Sequence, residues 1–176
     1  VVISDQAELQ VLFERGELDR DCVVVARFQG PAANGMPELH QLMPILGVLQ
    51  DRGHAVALVT DGRLSGASGK VPAAIHVTPE AAKGGAIGRI QDGDVMSLDA
   101  AAGELCVILD QQTLAERPHP AIPTGQNTVG RGLFKFSREV VTDAESGGCT
   151  LFEPLVLDDR PKVESARYVA YEHGAS

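Results

Sequence analysis

The sequence predicts a mixed α/β domain, and three observations carry that prediction. Two β-branched runs, 22–28 and 54–60, read as buried strands, and each ends in a segment rich in Gly, Pro, Asn or Ser. Stretches with helical spacing lie before and between them. Beyond residue 70, short β candidates alternate with Gly, Asp and Ala pairs, a spacing that suggests a small barrel or a layered β structure.

The elements follow in order. Residues 6–15 put Leu9, Leu12 and Phe13 on one side of a helix, with Asp5 as its cap. Cys22 to Phe28 forms the first strand and stops at Gln29-Gly-Pro-Ala-Ala-Asn-Gly35, a run of breakers. Residues 37–50 are expected to be a helix with Pro37 in the first turn, where a missing N–H costs nothing, and with Pro44 kinking or splitting it. The second strand, 54–60, runs directly into Asp61-Gly-Arg-Leu-Ser-Gly-Ala-Ser-Gly69. The later β candidates are 73–78, 86–90, 94–99 and 104–109, set apart by Gly84-Gly85, Asp92-Gly93 and Ala102-Gly103. Residues 111–117 read as a short helix, the proline-rich 117–127 as a connector, 133–141 as a helix and 150–156 as a strand. One domain is expected over 1–157, with a polar tail over 158–176 that orders only against a partner.

Composition narrows the function classes. At 176 residues the chain suits one domain, and 44% hydrophobic with 22% charged residues is ordinary for a soluble globular protein. No apolar run is long enough to span a bilayer, so no membrane role is expected, and Val1 to Ile3 is too short for a signal peptide. The start at Val1 suggests a piece of something longer. A net charge of −9 argues against nucleic acid, which needs a basic face against its phosphates. An anionic substrate fits, because a local pocket of Arg, Lys and backbone N–H groups holds one even in an acidic protein. Cys22, Cys106 and Cys149 read as two core thiols and one loop thiol in a reducing cytoplasm, with no C-x-x-C metal motif.

Chemistry is expected where the buried strands end, since loops at the carboxyl edge of an α/β sheet collect ligands. The first such segment is Asn34-Gly-Met-Pro-Glu-Leu-His40. On spacing alone Glu38 is foremost a first-turn carboxylate that complements a helix dipole; its functional alternative is a ligand for a hard cation such as Mg²⁺. The second is 61–70, where Ser65 lies between Leu64 and Gly66. Such a loop is either a solvated Gly/Ser turn or a set of N–H groups turned toward an anion with a hydroxyl at the mouth. It is no P-loop, because Val71 follows Lys70, and no nucleophile elbow, because G-x-S-x-G fails around Ser65. His40, His54 and His76 are read as structural, His76 as mid-strand.

Both segments together resemble a known pattern. Arg27-Phe-Gln-Gly-Pro-Ala-Ala-Asn-Gly-Met-Pro-Glu-Leu-His40, Val59-Thr-Asp-Gly-Arg-Leu-Ser-Gly-Ala-Ser-Gly69 and His76-Val-Thr-Pro-Glu80 are similar to the signatures of the dihydroxy-acid and phosphogluconate dehydratase family. The likeness covers about residues 20–110, through Gly84-Gly-Ala-Ile and Asp92-Gly-Asp94, and its wording lies nearer the 6-phosphogluconate branch than the branched-chain one. The resemblance implies a swivelling β/β/α domain with a small β barrel flanked by helices. It implies a cytoplasmic hydro-lyase that turns 6-phospho-D-gluconate into 2-dehydro-3-deoxy-6-phosphogluconate and water. An iron–sulfur cluster and further Mg²⁺ ligands are implied in an N-terminal domain of the same protein, whose cluster cysteines have no match here, and a homodimer is implied for the full enzyme. Ser65 matches the family's proton-abstracting serine and Glu38 its Mg²⁺ ligand. Gly66, Ser68 and Lys70 are expected to contact substrate oxygens or phosphate, and the chain by itself is expected to be inactive.

Overall fold

The structure is a computed structural model that describes residues 1–64, 69–123 and 135–150. Its centre is a parallel sheet of four strands in the order β1 (Val2–Ile3), β2 (Cys22–Ala26), β3 (Val56–Thr60) and β4 (Ala73–Ala74). The long pairing is β2 with β3, in register from Cys22 opposite Val56 to Ala26 opposite Thr60. A separate antiparallel hairpin joins β5 (Met96–Asp99) to β6 (Glu104–Val107).

The central strands are apolar at nearly every position because both of their faces are covered. Successive side chains point to opposite faces. Val24, Ala26, Val56 and Leu58 therefore join Leu9 of α1 (Gln6–Glu14) and Leu42, Ile45, Leu46 and Leu49 of α3 (Leu42–Asp51) in one cluster. Val25 and Val59 join Phe28, Ala81, Ile87 and Ile90 in a second cluster, with Met96, Leu105 and Val107 of the hairpin packed on it. Asp5 caps α1 as expected, its side chain accepting from the Ala7 N–H at 2.8 Å.

Several expectations are corrected. No helix starts at Pro37. Pro31 opens a short helix α2 (Pro31–Asn34), Gly35 ends it in the left-handed conformation, and α3 begins only at Leu42. Pro44 then falls in the first turn of α3, where its absent N–H has no partner to lose, so it neither kinks nor splits the helix. Residues 86–90 are not a strand: Ala86–Arg89 is a 3-10 turn. The candidate 73–78 shrinks to two residues, and His76 lies beyond it, exposed and left-handed at φ 55°. The mixed α/β class is as expected: among the described residues the strands form a four-stranded parallel sheet and a two-stranded antiparallel one. All three thiols are half-buried, where two core residues were expected. The helices expected near 111–117 and 133–141 are present as α4 (Gln111–Glu116) and α5 (Lys135–Val140). The strand expected at 150–156 and the tail fall, but for Thr150, outside the described residues. No helix among the described residues is long and apolar enough to cross a membrane.

One ion pair locks the connector after α4. Arg117 grips the Asp94 carboxylate with both terminal nitrogens, Nη2 at 2.9 Å from Oδ1, and the Gln91 N–H donates to the same carboxylate at 2.8 Å. Arg117 is the main reason the Asp94 carboxyl titrates below its ordinary range. A depressed folded-state value means the stabilisation is complete above the unfolded value and is lost as pH falls through the folded one. Asp94→Asn is expected to cost about 1–3 kcal/mol near neutral pH. In urea unfolding, the gap between the variant and the parent chain is expected to close below about pH 4. A gap that persists in acid would remove the pair from this role.

Candidate functional site at the carboxyl rim of the sheet

Three loops meet at the carboxyl ends of β2, β3 and β4, and two buried carboxylates hold them. Asp61, directly after β3, is 0% exposed and accepts from the N–H groups of Phe28 at 3.1 Å, Gln29 at 2.9 Å and Ala81 at 2.9 Å. Burial pushes its carboxyl above the ordinary value, and the backbone donors oppose that push. Glu80, 1% exposed, accepts from Ala32 N–H at 2.9 Å and Ala33 N–H at 3.1 Å, the open donors in the first turn of α2. A Cβ on Gly30 would sit 2.5 Å from Glu80 Oε2, so only glycine lets the loop come this close. Gly62 is equally constrained, with Gln29 Cβ 2.7 Å from where its own Cβ would be.

These ties decide where Glu38 goes. After Gly35 the backbone stays left-handed at Met36 (φ 52°), and the chain turns out along the 61–64 segment. Glu38 forms an isolated parallel bridge with Arg63, with the Leu39 N–H donating to Arg63 O at 3.3 Å. The Arg63 side chain closes the same junction, Nε donating to Met36 O at 2.8 Å and Nη1 to Glu38 Oε2 at 3.1 Å. The expected helix-dipole role of Glu38 is thereby corrected: an arginine, not a helix end, faces its carboxylate. On the other side of the segment, the His76 N–H donates to Gly62 O at 3.0 Å. Residues 61–64 thus run between the Glu38 loop and His76, and the chain continues from Leu64 into Ser65.

Ser65, Gly66 and Ser68 themselves lie outside the described residues. Lys70 is described: its ammonium pairs with Asp51 at the end of α3 and donates to Gly47 O at 3.4 Å. His54 is structural as expected, Nε2 lying 3.0 Å from Asp19 Oδ1, and His40 is exposed in the turn before α3. The roles of Asp61 and Glu80 went unread in the sequence. Their signal was present, since Asp61 abuts a run of buried apolar residues, where a carboxylate persists only if it is hydrogen-bonded.

As metal chemistry, the rim offers one solvent-reachable carboxylate among the described residues. Glu38 is 25% exposed in its side chain, and no three His, Cys, Asp or Glu side chains gather as ligands among the described residues. A single rim carboxylate suits a hard cation that keeps waters and takes its other ligands elsewhere. It does not suit an iron–sulfur cluster, which needs several thiolates, whereas Cys22 lies on β2, Cys106 on β6 and Cys149 in the segment after α5.

Comparison with known proteins adds sequence kinship. The family model described as dihydroxy-acid/6-phosphogluconate dehydratase C-terminal matches residues 1–148. A phosphogluconate dehydratase of Pseudomonas aeruginosa is 56% identical over 155 residues, covering 88% of this chain and 26% of that protein. The phosphogluconate dehydratase of Escherichia coli strain K12 is 55% identical over 155 residues, covering 86% and 26%. A dihydroxy-acid dehydratase of Pelobacter propionicus is 36% identical over 152 residues, covering 85% and 27%. The chain spans about a quarter of the length of these relatives.

Proposed function

This chain belongs to the dihydroxy-acid/6-phosphogluconate dehydratase family, whose C-terminal domain it matches, and from that premise we propose that it serves the dehydration of 6-phospho-D-gluconate to 2-dehydro-3-deoxy-6-phosphogluconate, a step of the Entner–Doudoroff pathway. The observation that carries the reading is the Glu38–Arg63 bridge, which ties the candidate metal ligand to the segment leading into Ser65. Identity of 56% and 55% to phosphogluconate dehydratases, against 36% to a dihydroxy-acid dehydratase, supports the sugar-acid substrate.

The reaction removes a proton from C2 and a hydroxyl from C3, giving an enol that tautomerises to the 2-keto acid. In this proposal the Ser65 side chain reacts as its alkoxide and takes the C2 proton to become the hydroxyl, and Glu38 would hold a Mg²⁺ whose positive charge makes that proton more acidic. A serine hydroxyl is too weak a base as such, and its alkoxide needs N–H donors or a nearby cation to stabilise it. The neighbouring glycines suit that need because backbone can approach closely beside them. Gly66, Ser68 and Lys70 are assigned to substrate contact. The swivelling β/β/α fold, the cytoplasmic location, the homodimer and an N-terminal domain bearing the iron–sulfur cluster belong to the same proposal. No step is assigned to the cluster on this chain, which offers it no ligand set among the described residues.

The test is substrate preference in the full-length enzyme. 6-Phosphogluconate is expected to exceed gluconate and a branched-chain 2,3-dihydroxy acid in kcat/KM by about 100-fold or more, while the 176-residue chain alone turns over none of them. Equal or reversed preference overturns the substrate assignment, and clear turnover by the chain alone overturns the shared site.

A further inference from the structure

Arg63 carries an inference that rests on the proposed reaction and goes beyond it. A substrate with a carboxylate and a phosphate brings strong negative charge to a chain whose own net charge is −9. Cationic side chains or backbone N–H groups at the rim have to receive it. The described basic side chains on the loops that leave β2, β3 and β4 can be compared one by one. Arg27 is turned inward, its Nη1 donating to Gly88 O at 2.8 Å and Ile90 O at 3.0 Å. Lys70, whose ammonium pairs with Asp51 on α3, is already assigned to substrate contact and leaves the second oxyanion of the substrate to be received. Lys83 pairs with Asp143 at 2.9 Å and donates to Val141 O at 2.9 Å. Arg89 donates from Nη1 to Ala115 O at 2.8 Å.

Arg63 differs from all four. A guanidinium has five N–H donors in a planar fork. The hydrogen bonds described here use Nε, toward Met36 O, and Nη1, toward Glu38, and none comes from Nη2. The side chain is 45% exposed at the rim, yet it is held at two points and so is already oriented. A half-exposed ion pair of this kind is weak, so the bond to Glu38 leaves the guanidinium able to take a second anion. Its position beside the candidate metal ligand, on the segment that continues into Ser65, is where one end of a bound hydroxy acid lies under the proposed mechanism.

We propose that Arg63 is the residue that recognises an oxyanion of the substrate, a carboxylate or a phosphate, through the outward edge of its guanidinium. The alternative is that Arg63 only orders Glu38. The two differ in what they do to KM. In the full-length enzyme, Arg63→Gln is expected to raise KM for 6-phosphogluconate by about 10- to 100-fold with kcat changed by less than about threefold. Arg63→Lys keeps the charge without the fork and is expected to recover part of the loss. Thermal unfolding confirms that both variants fold. Calorimetric binding of inorganic phosphate and of gluconate separates the two oxyanions: weakened phosphate binding in Arg63→Gln assigns the phosphate, weakened gluconate binding the carboxylate. An unchanged KM with unchanged binding of both probes overturns the inference, as does a loss confined to kcat and to the Mg²⁺ concentration required. Failure of the parent enzyme to turn over 6-phosphogluconate would instead overturn the proposed function, so the two failures are told apart.

Discussion

Replacing Ser65 with Ala in the full-length enzyme is expected to lower kcat by about 10³-fold, within the span general-base catalysis commonly contributes. KM for 6-phosphogluconate is expected to stay within a few-fold and the unfolding temperature nearly unchanged. The reason lies in what the hydroxyl does in the proposed reaction. Ionised to the alkoxide, it is the group that accepts the C2 proton, so its loss weakens transition-state stabilisation without removing ground-state contacts. Stability is expected to hold because a Gly- and Ser-rich loop spends little packing energy on one hydroxyl. Steady-state turnover with thermal unfolding of parent and variant checks both halves together. Turnover preserved within a few-fold would remove Ser65 from the chemistry and favour a docking domain that kept the family's sequence without its role. Loss of turnover together with loss of fold would make Ser65 a structural residue.

The second large effect is on folding. Asp61→Ala is expected to destabilise the chain by about 3–5 kcal/mol, a large part of the 5–15 kcal/mol typical of a domain. The carboxylate satisfies three backbone N–H groups from two different loops in a place with no solvent exposure. Removing it leaves those donors buried and unpaired at about 1–3 kcal/mol each, partly offset where water enters the gap. Asp61→Asn keeps the volume but turns one acceptor into a donor, so an intermediate loss is expected. Urea unfolding of the 176-residue chain measures both. If Asp61→Ala unfolds within about 1 kcal/mol of the parent, the loops are held by something other than this carboxylate. Because Phe28, Gln29 and Ala81 sit at the base of the rim, a folded Asp61→Asn chain is also expected to bind substrate less well within the full enzyme.

Asp61 also shows why part of the site was legible and part was not. The strand ahead of it could be read from composition, since β-branched residues without a break suit a strand covered on both faces. That a ligand loop follows such a strand is a general rule of parallel sheets, so the neighbourhood of Glu38 and Ser65 was readable from order along the chain. The conformation at Glu38 was not. Pro31 and Pro37 both signal a first helical turn, and nothing local chooses between them. The choice falls to Pro31, whose helix has its Ala32 and Ala33 N–H groups received by Glu80, 47 and 48 residues away in sequence. Residues 86–90 failed in a similar way. Their apolar character is that of buried residues, and burial here is met by a 3-10 turn packed under the hairpin and not by a strand.

Residues alone determined the capped first helix, the two central strands, the kinship with the dehydratase family and the two loops in which chemistry was expected, because each of these is written in a contiguous stretch with its own spacing or wording. Only the tertiary structure decided that Glu38 meets an arginine in place of a helix end, and that Asp61 and Glu80 are the pins of the rim. Those outcomes depend on hydrogen bonds between segments 20 or more residues apart, whose partners are selected by burial once the sheet has formed.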